Sequence, residues 1–293
     1  MTVDAALEAP RPSTGPGFSD AVTFAFGDPR TGVYGLARLG LGADGASALA
    51  LLFRDGEIVS VRAEGGAPAA TTWDDVRAVG VATRVVEPLR RWEISFDAGD
   101  EGGFALSAEA LGLPAVLGTD SPAGEAGGMQ AYEQLCRLRG TVRAGSVEHE
   151  VDCLGQRGHS WGTPDWDRMK LARTVGAWLD EDLAVVMSAV RPAKAKEHDG
   201  EAVTAAILEG EPVAPLAIAE PLLSTTYDGE HRQRRAGFEL WPDGEDSYAR
   251  RGAGEVVCGT SLDLGRLLLD CAFFRWRMEG REGVGRYDVL RRA

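Results

Sequence analysis

The stretch GLGADGASALALLFRDGEIVSVRA, residues 40–63, decides the fold. Its opening, Gly40-Leu41-Gly42-Ala43-Asp44-Gly45, matches the G-x-G-x-x-G fingerprint of a dinucleotide-binding β-α-β unit, with Glu64 as the acid for a ribose. The context is wrong for that unit. About eight residues separate the motif from the turn at Asp55-Gly56, whereas a parallel crossover needs a dozen or more. Beyond the motif come an apolar run from Ser47 to Phe53, the turn Arg54-Asp55-Gly56-Glu57, and a second run from Ile58 to Ala63. That is two strands about a D-G hairpin, so the glycines mark turns and the local architecture is antiparallel β.

The same habit runs outward in both directions. Ala21 to Phe26 alternates, Gly27 to Gly32 turns, and Val33 to Leu41 returns. Trp92, Ile94 and Phe96 alternate with Glu93, Ser95 and Asp97, as a half-buried strand does. Phe104 to Leu111 is the next strand, then a Gly/Pro/Ala-rich loop spans Gly112 to Gly128. Tyr132 to Val142 and Val147 to Leu154 form a long hairpin about Ala144-Gly145. Arg173 to Leu179 and Leu183 to Val190 form another, and Phe273 to Met278 is a late aromatic strand. Only Thr71 to Val79 is expected as a short helix, capped by Thr71 or Thr72. A strand count on the order of sixteen to eighteen exceeds one small barrel of roughly eight, so two β domains are expected with a seam near residues 155–170.

Composition bounds the partners. The 293 residues carry 31 Lys plus Arg against 45 Asp plus Glu, a net charge of −14. An acidic chain has no counter-charge to offer a phosphate backbone or an anionic lipid surface, so neither nucleic acid nor membrane insertion is expected. No apolar run reaches the ~20 residues of a membrane helix, and Met1-Thr2-Val3-Asp4 lacks the basic and apolar regions of a secretory signal. A cytoplasmic setting is the expectation. Residues 1–17, with Pro10, Pro12, Gly15, Pro16 and Gly17, read as a flexible tail. Cys136, Cys153, Cys258 and Cys271 lack metal-ligand spacing and read as reduced thiols, although Cys136 and Cys153 would face each other in an unbulged hairpin. No metal and no cofactor is expected.

Chemistry concentrates in Gly155-Gln156-Arg157-Gly158-His159-Ser160-Trp161-Gly162-Thr163-Pro164-Asp165-Trp166, read as a shaped loop after a strand. Histidine gives or takes a proton near neutral pH, arginine fixes an oxygen with a forked donor, and tryptophan supplies an apolar wall. Two readings stay open. The segment is a site, or it is a domain junction where Trp161 and Trp166 plug the two cores while His159 and Arg157 tie down carbonyls. His149, His198 and His231 read as residues of solvated faces.

The run Gln156-Arg157-Gly158-His159-Ser160-Trp161-Gly162 resembles the Gly-x-Arg-Asp-His-Ser-Trp-Gly signature of the double-lipocalin proteins. That superfamily includes carotenoid 1,2-hydratases, transporter-associated lipocalin-like proteins, Diels–Alder-type fungal cyclases and actinobacterial proteins of unknown function. Phe24 to Pro29 with Thr31 to Gly35 is similar to its first hairpin, Tyr132 to Arg137 with Gly140 to Val142 to the strand before the signature, and Phe274 to Asp288 to its closing strand pair. The resemblance implies an all-β fold of two antiparallel lipocalin-like barrels or half-barrels, residues 18–163 and 164–293. The chain departs from the signature at Gly158, where many relatives carry Asp, leaving that role vacant or filled by Asp165 or Asp288. His159 and Trp161 match a His-x-Trp pair implicated in protonation by the hydratases, whose further acidic residue has no counterpart here. That counts against carotenoid hydration itself.

The function implied is a cofactor-independent lyase, hydratase, isomerase or cyclase acting on a hydrophobic terpenoid or polyketide-like molecule. The alternatives are a non-catalytic carrier or sensor of a lipophilic molecule, and a scaffold with solid cores. The expected partner is a hydrophobic small molecule, with a homodimer left open. The expected catalytic residues are His159, Arg157 and Asp165, and the expected substrate-binding residues are Trp161, Trp166, Gln134, Tyr132, Trp276 and Asp288. An unactivated alkene asks for a stronger acid than imidazolium, for which Asp165, Asp288 and Glu133 are the candidate carboxylic acids.

Overall fold

The computed structural model describes residues 4–43, 45–68, 70–195, 200–244 and 248–293. His198 and its neighbour Asp199 lie outside the described residues, as does Asp44. The chain divides into two compact units: unit 1 comprises residues through Pro114 together with Ala131–Thr163, and unit 2 comprises Ala115–Gln130 and Pro164–Ala293. Both are antiparallel β, as the hairpin pattern requires.

Unit 1 is built from β1 (Ser19–Asp28), β2 (Val33–Gly42), β3 (Gly45–Arg54), β4 (Glu57–Ala67), β5 (Arg77–Ala78), β6 (Val81–Glu87), β7 (Arg91–Asp97), β8 (Gly102–Ala110), β10 (Met129–Ala144) and β11 (Val147–Gly162), with the short β9 (Ala115–Leu117) falling in unit 2. The sheet order is β4-β3-β2-β1-β11-β10-β8-β7-β6-β5, a nearly closed barrel with its gap between β4 and β5. The motif at residues 40–45 is the β2–β3 hairpin, with Gly42 opposite Gly45. Inside, Val22, Phe24, Phe26, Trp92, Phe96 and Phe104 form one apolar core, with Phe24 and Trp92 at 5.4 Å between ring centroids.

Unit 2 holds α1 (Pro122–Gly127) and a closed eight-stranded barrel: β12 (Met169–Asp180), β13 (Leu183–Pro192), β14 (Ala202–Glu209), β15 (Ala214–Tyr227), β16 (Gln233–Pro242), β17 (Arg250–Asp263), β18 (Leu267–Met278) and β19 (Arg281–Arg292). Closure pairs β12 with β19 and leaves no sheet edge. Its core includes Val175, Met187, Phe238, Phe274, Trp276 and Tyr287. Among the described residues no helix is long and apolar enough to cross a membrane.

Four local expectations are corrected. Residues 155–162 are not a loop: β11 continues through Gly162, and its glycines serve close approach. A Cβ on Gly155 would stand 2.3 Å from the Ala25 carbonyl oxygen on β1. Residues 71–76 are turns, not a helix, because Thr72 Oγ1 donates to Asp75 (2.7 Å) while Trp73 is drawn into the core. The Gly/Pro/Ala-rich loop contains α1, capped by Ser121. The segment expected as a flexible tail carries a 3-10 turn at Ala5–Glu8 and inserts Glu8 into unit 1, where buried partners await its carboxylate. All four cysteines are free, so Cys136 and Cys153 are not bridged. Burial pushes the Cys136 thiol up to about 11 and Cys153 to about 12, which keeps both protonated and unreactive.

Candidate functional site

Arg157 and His159 alternate with Gly158 on β11, so both side chains enter unit 1 from the same face. The β1–β11 register sets Phe24 opposite Arg157, Val22 opposite His159 and Asp20 opposite Trp161. Tyr132 and Gln134, two apart on β10, complete the wall.

Arg157 is 2% exposed and both of its terminal nitrogens are engaged. Nη1 donates to the Tyr132 hydroxyl at 3.0 Å and to the Glu8 carboxylate, and Nη2 donates to Oε1 of Gln134. The Gln134 amide nitrogen donates to the carbonyls of Leu89 (3.1 Å) and Gly112 (3.0 Å), which fixes its oxygen toward the guanidinium. The guanidinium carbon lies 5.2 Å from the Trp92 ring centroid and 5.3 Å from that of Tyr132. Burial opposes the Arg157 charge, but Tyr132 and Glu8 outweigh it and its pKa is raised. Burial likewise raises the Tyr132 phenol.

Glu8 fills the seat these groups make. Its Oε1 accepts the Tyr132 hydroxyl at 3.2 Å, its Oε2 accepts the Leu89 N–H, and its carbonyl accepts the Trp73 indole N–H at 2.8 Å. Such charge-assisted bonds are what a buried guanidinium requires.

His159 is sealed, at 0% exposure. Nε2 lies 2.5 Å from Oδ1 of Asp20, and Nδ1 lies 2.9 Å from the Leu7 carbonyl oxygen. A carbonyl only accepts, so Nδ1 carries the proton. Asp20 Oδ2 accepts the Arg11 N–H at 2.6 Å, and the Arg11 guanidinium stacks 4.5 Å over Trp161. Trp161, Trp73 and Tyr132 surround the imidazole at 4.8, 5.4 and 5.6 Å between ring centroids.

On the opposite face of β11, a Cβ on Gly158 would stand 2.2 Å from one Glu133 carboxylate oxygen and 2.7 Å from the other. That carboxylate accepts the Gln156 amide N–H at 2.6 Å. Glu133 therefore holds the space above Gly158, which neither Asp165 nor Asp288 fills. Among the described residues no three His, Cys, Asp or Glu side chains are placed to hold a metal ion.

Residues 4–293 match a domain of unknown function, DUF7064. The chain belongs to the DUF7064 family. No curated protein sequence matches it. Solved structures share its fold. The AttH candidate NE1406 from Nitrosomonas europaea has a TM-score of 0.68 at 12% identity, covering 93% of this DUF7064 chain and 91% of its own. CghA in complex with Sch210972 has a TM-score of 0.69 at 12% identity, covering 95% and 89%. Kievitone hydratase from Nectria haematococca has a TM-score of 0.62 at 11% identity, covering 99% and 93%. At these identities the likeness is one of fold: the DUF7064 chain has the tandem lipocalin-like double barrel that the signature implies.

The residues expected to form one site divide between the units. His159, Arg157, Tyr132, Gln134 and Trp161 share unit 1. Asp165, Trp166, Trp276 and Asp288 belong to unit 2 and are engaged there. Asp165 is an exposed turn residue accepting the Asp167 N–H at 3.0 Å. Trp166 packs on a small cluster of Ala123, Met169 and Val190, and Trp276 stacks on Phe274 in the barrel core at 5.4 Å. Asp288, whose carboxyl burial holds above the usual range, faces Arg286 at 3.7 Å and the Cys271 thiol. Residue pattern alone does not bring out Glu8, Asp20 or Trp73 as members of the cluster. For Asp20 a signal exists, since it sits on the face of Val22, Phe24 and Phe26, a lone carboxylate continuing an apolar stripe.

Proposed function

We propose that this chain is a cofactor-independent proton-transfer enzyme, of the lyase, hydratase, isomerase or cyclase kind, acting on a hydrophobic terpenoid or polyketide-like molecule. His159 is the proton-transfer residue and Asp20 orients it and balances its charge. Arg157, with Tyr132, polarises a substrate oxygen, and Trp161 and Trp73 are apolar walls. The observation that carries the reading is the His159–Asp20 contact of 2.5 Å, buried beside a second polar cluster on Arg157 and lined by aromatic rings. A histidine whose Nε2 is held by a carboxylate presents Nδ1 to whatever stands in the place of the Leu7 carbonyl. On a substrate activated by the Arg157–Tyr132 pair, Nδ1 donates its proton to a carbon or oxygen and the neutral imidazole takes one back at a later step, from the substrate in an isomerisation or from the water that adds in a hydration. The fold's recurrence in kievitone hydratase supports a hydration-type chemistry within this range. A cytoplasmic setting goes with four free thiols.

A second reading, a carrier or sensor of a lipophilic molecule, is favoured by one observation: both imidazole nitrogens are already bonded, one of them to backbone. Native mass spectrometry of the purified protein identifies a co-purifying small molecule. That molecule is then incubated with the protein in D2O and its isotope content read. Deuterium uptake that vanishes in His159→Ala, with binding retained, is the expected result. Uptake equal in both proteins removes His159 from the chemistry, and no uptake in either leaves the carrier.

A further inference from the structure

Residues 7–11 pack against the polar cluster in unit 1, and they do so with a carboxylate. Glu8 meets three donors in the buried seat: Arg157 Nη1, the Tyr132 hydroxyl and the Leu89 N–H. One residue earlier, the Leu7 carbonyl occupies Nδ1 of His159, and three residues later Arg11 covers Trp161. We propose that the Arg157–Tyr132–Leu89 seat is a receptor for a hydrophobic molecule ending in a carboxylate, and that Glu8 is a built-in occupant which that molecule displaces. This deepens the proton-transfer reading by naming its substrate class, and it rests on that reading for any chemistry after binding.

Three features argue for displacement over permanent structure. First, the seat is charge-specific. A guanidinium that is 2% exposed calls for an anion beside it, because a buried charge left unpaired has lost its hydration with nothing in exchange. Exchange of one carboxylate for another keeps the pair intact throughout, and Glu8 regains its hydration outside. Second, apart from the Glu8 carboxylate the occupant is held by a few single contacts, the Leu7 and Glu8 carbonyls, the Arg11 N–H and the Arg11 guanidinium, and its leading residues are free of them. Asp4, Ala5 and Ala6 are exposed, and the 3-10 turn over Ala5–Glu8 has a single turn of backbone bonds, Leu7 N–H to Asp4 and Ala9 N–H to Ala6. Third, withdrawal of this one segment uncovers Nδ1 of His159, the face of Trp161 and the Trp73 indole N–H together. A ligand whose carboxylate replaces that of Glu8 is brought to the imidazole that the Leu7 carbonyl now caps, and Trp73, Tyr132 and Trp161 ring that imidazole.

The test is fluorescence titration of the full-length protein with cis-parinaric acid, a polyene carboxylic acid, and with its methyl ester. Glu8→Gln, which keeps the shape but removes the competing charge, is expected to bind the acid at least tenfold more tightly than the wild type does, with ester binding unchanged. Arg157→Met is expected to bind acid and ester alike. No gain for the acid in Glu8→Gln, or equal gains for acid and ester, would overturn the proposal. A measurement on the unaltered chain guards against misfolded variants. Hydrogen exchange in the peptide covering residues 4–18 is expected to accelerate on saturation with the acid and not with the ester, and unchanged or slower exchange with the acid would also overturn it. The two readings separate with His159 unaltered: acid binding that Glu8→Gln tightens, with no deuterium uptake by a bound ligand, upholds the seat and removes the proton transfer.

Discussion

Gly158 and Glu133 face each other across β11 and β10 with no room for another atom, since a Cβ at 158 would stand 2.2 Å from a Glu133 oxygen. An aspartate at 158, as the related signature has, would set two buried carboxylates in contact. Gly158→Asp is therefore expected to destabilise the chain by about 1–3 kcal/mol, from overpacking and like-charge repulsion together. Glu133→Ala removes the obstacle, so the double variant Gly158→Asp/Glu133→Ala is expected to be more stable than the sum of the single changes predicts. Urea denaturation of the four proteins measures the coupling, and additivity within about 0.5 kcal/mol would mean the two positions are independent. At this scale the sequence is legible where residue type and strand alternation agree. His159, Arg157, Tyr132 and Gln134 sit two apart on neighbouring strands, and the structure joins Arg157 to the two β10 side chains. Glu8 is illegible because the two side chains its carboxylate meets, Arg157 and Tyr132, lie more than a hundred residues away, and a lone glutamate among prolines carries no local signal.

Among the elements, the glycines of 155–162 and the residues of 118–128 show opposite errors of the same rule. Glycine reads as a loop former in the first and is strand, because β1 approaches β11 too closely at Gly155 for any side chain. In the second the loop former hides a helix. Ser121-Pro122-Ala123-Gly124-Glu125 is a cap, a proline in the first turn and an acidic residue, yet two glycines within six residues lower the helix signal below notice. Ser121 holds that helix by accepting the Gly124 N–H at 3.2 Å while donating to the Gly118 carbonyl at 2.6 Å. Ser121→Ala is expected to cost about 0.5–2 kcal/mol in urea denaturation. Ser121→Asp keeps the acceptor and loses the donor, so its cost is expected to fall between wild type and alanine. A loss as large for Asp as for Ala would assign the stabilisation to the bond with Gly118 instead.

For the whole molecule, each unit encloses its own apolar core, and this is why the tandem-barrel architecture is readable from hairpin spacing alone. The buried charge in unit 1 gives that division a measurable consequence. Glu8→Ala leaves Arg157 without its carboxylate inside the nearly closed barrel, and removing one partner of a buried pair costs about 3–5 kcal/mol. In unit 2 the equivalent buried pair, Arg173 with Glu201, is untouched, and Arg173 keeps its bonds to Thr225 (2.8 Å) and the Tyr287 hydroxyl (3.0 Å). Hydrogen exchange of full-length Glu8→Ala is therefore expected to rise in β1, β10 and β11 while β12, β13 and β19 hold their protection. A rise spread evenly over both barrels would show that the chain unfolds as one cooperative body, with no separate stability for either unit.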